Sequence, residues 1–130
     1  MDLLLDTCTV LWAAGEPNQL SERAVQVLEA PDSVIYVSAV TAAELACAVE
    51  RDRIRLTEHW KPWFRRCLRV NGWNCVPLDL DVIEEAYSLP PPFHQDPVDR
   101  MLVATARLRR LTIITGDPRI LAYPHVATDW

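Results

Sequence analysis

Short apolar runs alternate with amphipathic segments along this chain, and this alternation constrains the fold more than any other feature of the sequence. The runs "DLLLD", "SVIYVS" and "LTIIT" have the length and apolar character of buried strands. Segments such as "LSERAVQVLEA" and "DVIEEAYSL" lie between them and have the pattern of helices. Strands that alternate with helices predict a parallel sheet covered by helices on both faces.

The predicted elements fill most of the chain. Strands are predicted at 2–6, 33–38, within 71–78, at 111–115 and, as a short fifth strand, at 125–128. Helices are predicted at 20–30 with Ser21 as N-cap, at 41–54 with Thr41 as N-cap, at 60–70, at 81–89 and from Asp96 or nearby to 110. We therefore expect a single domain over residues 1–130, with a three-layer α/β fold and a central parallel sheet of four to five strands.

Composition excludes several classes of protein. The net charge is -5, from 13 basic and 18 acidic residues, which argues against a protein held to nucleic acid by its overall charge. The four cysteines form no C-x-x-C pair, so neither a zinc ribbon nor a thioredoxin motif is expected. No signal-peptide pattern and no apolar run near ~20 residues is present. These features predict a cytoplasmic protein with reduced thiols and no membrane contact.

Five acids occupy positions that the predicted fold brings to one edge of the sheet. Asp6 ends the first strand, and Asp117 follows the fourth strand. Asp96 and Asp99 share a face in the first turn of a helix, because residues three apart are neighbours on a helix surface. Glu44 lies near the start of the helix after the second strand, among apolar neighbours. In open parallel sheets, ligands bind outside the carboxyl ends of the strands.

Carboxylates held close together repel one another and stay ionised only if a cation compensates their charge. Mg²⁺ and Mn²⁺ are hard ions that prefer oxygen ligands. One or two such ions at this edge could polarise a phosphodiester and activate water. The pattern therefore predicts a metal site built from separate segments. Taken singly, Asp96 is also a good helix cap, Asp117 a good turn residue, and Glu44 suits a solvated helix face.

Four segments resemble the motifs of the PIN-domain family, and most closely its VapC-type toxins from bacterial type II toxin–antitoxin pairs. They are "LLLDTCTVLW", "VSAVTAAELA", "HQDPVDRMLVATA" and "LTIITGD", in the order and over the length typical of that family. Members have a parallel sheet flanked by helices and act as Mg²⁺-dependent endoribonucleases. The resemblance thus implies an RNA substrate, a cognate antitoxin as partner and a homodimer.

The resemblance also implies roles for individual residues. Asp6, Glu44, Asp99 and Asp117 match the acidic positions, which implies that they bind Mg²⁺, or Mn²⁺ in its place, and act in catalysis. Asp96 is the added catalytic acid of a branch with an H-x-D-P-x-D-R motif. Whether Asp96 or Asp99 lies nearer the metal is left open by the match, although Asp99 aligns better.

Several neighbouring residues have two interpretations. Thr7 and Thr115 match positions where a hydroxyl lies beside the acids, so both are candidates for substrate contact. Arg100 could bind a phosphate or form a structural ion pair with the acids. His94 could orient a carboxylate or serve only to shape its proline-rich loop.

Other families with acids at strand ends fit less well. A receiver domain needs a lysine after its last strands, whereas the sole lysine is Lys61. Cys8 breaks the D-x-D-x-T motif of haloacid-dehalogenase-like phosphatases, and the three glycines form no G-x-G-x-x-G. The remaining alternative is a PIN fold that binds a partner and cuts nothing, which an intact set of acids disfavours.

Overall fold

The computed structural model describes all 130 residues, from Met1 to Trp130. Its strands are β1 (Asp2–Leu5), β2 (Val34–Ser38), β3 (Asn74–Val76), β4 (Thr112–Ile114) and β5 (Thr128–Asp129). Its helices are α1 (Thr7–Gly15), α2 (Glu22–Glu29), α3 (Ala39–Glu50), α4 (Trp60–Asn71), α5 (Leu80–Ala86), α6 (Pro97–Arg109) and α7 (Pro118–Leu121), with a short 3-10 turn at Pro17–Gln19. None of the helices combines the length and the apolar character needed to cross a membrane.

The strands form one parallel sheet in the order β3-β2-β1-β4-β5. The predicted α/β architecture with four to five parallel strands is therefore confirmed. β1 is central, and the chain builds outward from it first through β2 and β3 and then through β4 and β5. The order of strands thus reverses between β1 and β4. In open α/β sheets, this switch point is where the carboxyl ends of the strands leave a crevice.

The sheet has a separate core on each face, because side chains alternate along a strand. Leu3 and Leu5 of β1 pack on one side with residues of α1, α2, α3 and α4. Leu4 packs on the other side with residues of α6 and α7. All three leucines are fully buried. The run "LLL" is therefore apolar throughout because both faces of β1 are covered, which accounts for the three-layer arrangement.

Several elements differ from the prediction: the helix predicted at 41–54 ends at Glu50, and neither α1 nor α7 was predicted. The prediction that Thr41 caps the third helix is wrong, because α3 already begins at Ala39 and the Ser38 hydroxyl accepts a hydrogen bond from the Val40 backbone N–H at 3.1 Å. Thr41 is fully buried inside the helix. The predicted fifth strand at 125–128 is displaced to Thr128–Asp129. Helix α1 was not predicted, because its β-branched residues favour strands and its polar residues mark no single face.

Candidate active site

A cleft of about 500 Å³ lies at the carboxyl edge of the sheet. All five acids singled out in the sequence line it: Asp6, Glu44, Asp96, Asp99 and Asp117. They come from the end of β1, from α3, from the start of α6 and from the loop after β4. The fold therefore brings together carboxylates that are up to 111 positions apart in the sequence (6 to 117).

Asp6 is held at both of its carboxylate oxygens. As the N-cap of α1, it accepts a hydrogen bond from the Thr9 backbone N–H to Oδ1 at 2.8 Å. Its Oδ2 accepts a short hydrogen bond from the Thr115 hydroxyl. The side chain is buried, with 8% of the residue exposed. Asp6 is therefore fixed in direction by one bond within its own helix and by one bond from the neighbouring strand end.

Thr115 is fully buried and positions acids, whereas its role as a substrate contact stays a prediction. Its hydroxyl donates to Asp6 and accepts a hydrogen bond from the Asp117 backbone N–H at 3.0 Å. The same residue thereby connects two of the acids across the switch point. Its hydroxyl has both a donor and an acceptor partner inside the protein and no exposure, which favours a role in holding the acids.

The two acids of α6 are held in different ways. Asp96 is exposed and caps the helix, its Oδ1 accepting a hydrogen bond from the Asp99 backbone N–H at 3.0 Å. Asp99 is half-buried, and its Oδ2 lies 2.7 Å from Nε2 of His94. Burial raises the pKa of Asp99, the bond to His94 lowers it, and the charges of Asp96 and Asp117 raise it further. His94 therefore orients a carboxylate, one of the two roles considered for it.

Glu44 is half-buried on α3 and faces the other acids. Burial is the largest cause that raises its pKa, a hydrogen bond with Thr7 lowers it, and the charges of Asp99, Asp96 and Asp6 raise it. Thr7 also lines the cleft, and its hydroxyl donates to the Thr41 hydroxyl at 3.4 Å. Thr7 is thus placed beside the acids as predicted, although its role as a substrate contact stays a prediction.

Asp117 caps α7 by accepting a hydrogen bond from the Arg119 backbone N–H to Oδ1 at 2.8 Å. The Arg119 guanidinium returns to the same carboxylate, with Nη2 3.0 Å from Oδ2. Hydrogen bonding from this side chain is the main reason why the pKa of Asp117 is lowered. Sequence analysis missed Arg119, and its only local signal is a basic residue two positions after a capping acid.

Trp12 is a second cleft residue that sequence analysis missed. Its ring centroid lies 5.9 Å from that of Trp130, at the end of the chain. Trp130 packs over Gly116 so closely that a Cβ there would lie 3.0 Å from its ring. Gly116 therefore lets the Trp130 ring approach the loop that carries Asp117. The position of Trp12 on α1, one and a half turns after Asp6, was the signal available in the sequence.

Arg100 does not line the cleft, and its role as a substrate-binding residue stays a prediction. Its guanidinium donates to the backbone oxygens of Ala86 and Phe93, at 3.1 and 3.0 Å. It also lies 5.9 Å from the ring centroids of Tyr87 and Phe93. Arg100 therefore ties the proline-rich loop before α6 to the end of α5, which is a structural role.

The electrostatic field of the cleft is negative, as the thiol of Cys8 shows. Its pKa is raised to about 11, first by desolvation and then by the charges of Asp6, Glu44, Asp117 and Asp99. The thiol is thus protonated at neutral pH and unsuited to nucleophilic catalysis. The same four carboxylates would stabilise a cation that binds in the cleft, because opposite charges attract.

The donor atoms of the cleft fit a hard divalent cation. Asp6, Glu44, Asp99 and Asp117 offer carboxylate oxygens, which Mg²⁺ and Mn²⁺ prefer. As the side chains stand, no group of three or more His, Cys, Asp or Glu side chains is arranged to hold an ion. Backbone, hydroxyl, imidazole and guanidinium groups of the protein engage oxygens of all four acids, as described above. The four acids therefore offer the type of donor atom that these ions prefer. Their side chains would have to reorient to bind one ion together, so the metal site stays a prediction.

Comparison with known protein sequences places the chain in a family. The model of the PIN domain matches residues 3–126. Ribonuclease VapC22 of Mycobacterium tuberculosis is 32% identical to the chain over 123 residues, which are 95% of this chain and 92% of that protein.

Solved structures share the fold over nearly the whole chain. VapBC2 from Rickettsia felis, bound to a DNA fragment from their promoter, contains a chain with a TM-score of 0.67 at 14% identity, covering 100% of this chain and 99% of that one. FitAcB from Neisseria gonorrhoeae contains one with a TM-score of 0.64 at 26% identity, with coverages of 97% and 95%. From the match over residues 3–126 and the identity of 32%, the chain is a member of the PIN domain family and of its VapC group.

Proposed function

We propose that this chain is a Mg²⁺-dependent endoribonuclease and the toxin of a type II toxin–antitoxin pair. The observation that carries the proposal is the convergence of five acids from four segments in one cleft. A relative that is 32% identical is a ribonuclease by name. Chains of similar fold occur in a toxin–antitoxin complex from Klebsiella pneumoniae and in VapBC-5 from Mycobacterium tuberculosis.

In this proposal, Asp6, Glu44, Asp99 and Asp117 hold the Mg²⁺ ion, or Mn²⁺ in its place. When bound, such an ion supplies polarisation of a phosphodiester and a more acidic water molecule. The fold sets where the acids stand, because Asp6 caps α1 at the end of β1 and Asp99 lies in the first turn of α6. Acids fixed at their backbone lose little freedom when their side chains turn to the ion, which lowers the entropic part of the barrier.

Glu44 is half-buried on α3 and faces the other acids, so it contributes the carboxylate of the set that comes from the helix after β2. Asp96 is assigned an outer position, because its Oδ1 caps α6 and its side chain faces solvent. Asp99 is then the nearer metal ligand of the two acids on α6, since it is the more buried.

The partners belong to the same proposal. An apolar groove of about 410 Å³ lies between α3 and α4 and is lined by Ala42, Trp60, Phe64 and Leu68. This groove suits an apolar segment of an antitoxin.

Exposed Leu80 and Leu108 offer apolar surface for a homodimer. We expect a dimer mass in light scattering at micromolar concentration, and a monomer mass throughout would contradict it. The four free thiols agree with a cytoplasmic setting.

The experiment that tests the activity is incubation of the purified chain with RNA in Mg²⁺ and in EDTA. We expect cleavage at defined internal positions in Mg²⁺ and none in EDTA, with the new RNA ends identified by sequencing. A folded, partner-free chain that leaves RNA intact in both conditions would instead favour a PIN fold that only binds a partner. The RNA class follows from the sequenced ends.

A further inference from the structure

Arg119 contacts two acids of the cleft from two different segments. Its Nη2 lies 3.0 Å from Oδ2 of Asp117 and 3.5 Å from Oδ2 of Asp99, and its Nε lies 3.3 Å from Oδ1 of Asp117. Asp117 is only two positions away, whereas Asp99 is twenty positions away on another helix. The contact with Asp99 therefore depends on the tertiary fold and places the guanidinium across the mouth of the site.

The oxygens that Arg119 engages belong to proposed metal ligands. A Mg²⁺ ion needs its ligand oxygens at about 2.0–2.1 Å in near-octahedral geometry. A guanidinium on the same two carboxylates would repel the ion and occupy part of that geometry. The Arg119 side chain is 58% exposed, so it can swing away from the acids with little loss of packing. The Mg²⁺ ion and the Arg119 guanidinium therefore cannot bind the carboxylates of Asp99 and Asp117 at the same time.

Arg119 is also the one basic residue among the twelve that line the cleft. An RNA backbone that approaches five carboxylates meets repulsion, and the chain as a whole carries a charge of -5. A guanidinium at the mouth is the cationic group of the cleft that could bind a phosphate, for which its fork of donors is well suited.

We propose that Arg119 is an internal counter-ion, which a divalent cation displaces from Asp99 and Asp117, and that the displaced guanidinium then binds a phosphate of the RNA. This inference rests on the proposed function, since it assumes that the acids bind a cation and that the cleft receives RNA. It assigns to one side chain two effects of opposite sign. Arg119 weakens metal binding and strengthens RNA binding.

The first test measures Mg²⁺ affinity by calorimetry, without RNA. Arg119→Gln removes the charge and keeps a polar side chain, and it should lower the Kd for Mg²⁺ by about threefold to fivefold, the range of an exposed ion pair. Arg119→Lys keeps the charge and should stay near the wild-type Kd. Arg69→Gln is the matched control, because Arg69 is exposed near the end of α4, at the edge of the sheet opposite the cleft.

The second test measures binding of a short single-stranded RNA of mixed sequence by fluorescence anisotropy. Ca²⁺ replaces Mg²⁺ here, since its looser coordination disfavours hydrolysis. In Ca²⁺, Arg119→Gln should bind RNA more weakly than the wild type, and the negative slope of log affinity against log salt should become smaller in magnitude by about 0.7–1. In EDTA the difference between the two proteins should shrink, because the wild-type guanidinium is then held by the acids and favours RNA only by its charge, without a phosphate contact.

Each outcome decides the inference. Arg119→Gln that binds Mg²⁺ no more tightly than Arg69→Gln overturns the displacement, and an RNA difference that is equal in Ca²⁺ and EDTA overturns the link between metal and phosphate contact. Both results leave the proposed nuclease intact if the wild type binds Mg²⁺ and cuts RNA. If the wild-type protein neither binds Mg²⁺ nor cuts RNA, the proposed function itself is contradicted. Each variant should unfold at a Tm close to that of the wild type, which thermal unfolding without metal checks.

Discussion

Asp6→Asn is expected to lower the rate of Mg²⁺-dependent RNA cleavage by about 100-fold or more. Asparagine keeps the shape of the side chain and an oxygen for the Thr9 backbone N–H, so α1 keeps its cap. It removes the negative charge of the most buried acid of the cleft, at the switch point between β1 and β4. The loss should therefore lie in metal binding and catalysis, with the fold retained.

Thermal unfolding with and without Mg²⁺ separates this loss from a folding defect. A ligand that binds only the folded state raises its stability, so Mg²⁺ should raise the Tm of the wild type and raise that of Asp6→Asn less. Without Mg²⁺, reduced repulsion among the acids opposes the loss of the hydrogen bond from the Thr115 hydroxyl, which the amide nitrogen of asparagine cannot accept, so the Tm of the variant should stay near that of the wild type. Asp96→Asn is the matched control, and it should act mildly because asparagine caps α6 about as well. If Asp6→Asn cleaves RNA at the wild-type rate, the assignment of this cleft as the active site is wrong.

Expression of the wild-type chain without an antitoxin is expected to arrest the growth of a bacterial host, whereas Asp6→Asn at the same soluble level should leave growth unchanged. The physical reason is that cleavage of RNA by one enzyme molecule destroys many substrate molecules, so a small amount of active protein suffices. Measured growth curves, with immunoblots of the soluble fraction, give the comparison.

The growth experiment also distinguishes two meanings of toxicity. If both proteins arrest growth equally, the arrest does not depend on cleavage and has another cause, for example the exposed apolar surface of the chain. That result would count against nuclease action. Unimpaired growth with abundant soluble wild-type protein would contradict the toxin assignment, even if the purified chain cuts RNA. Relief of the arrest by co-expression of an antitoxin would support the proposed partner.

The local features of the sequence were enough to place most strands and helices. An apolar run such as "LLL" has to be covered on both sides, and Ser21 caps its helix by accepting from the Ala24 backbone N–H at 2.9 Å. These effects act within a few residues, which is why a single sequence reveals them. Helix α1 escaped prediction for the opposite reason. Its residues favour a strand, and the helix is started by Asp6 at the sheet edge and held by packing.

The sequence by itself determined which carboxylates stand at strand ends and helix starts, because spacing and element type set those positions. Only the tertiary structure decided which groups meet there. The strand order puts Asp6 next to Thr115, while the packing of α6 and α7 lets Arg119 reach Asp99 and turns Arg100 away from the cleft. Such contacts join residues up to 109 positions apart. No local propensity specifies them, since they depend on how the two faces of the sheet are covered.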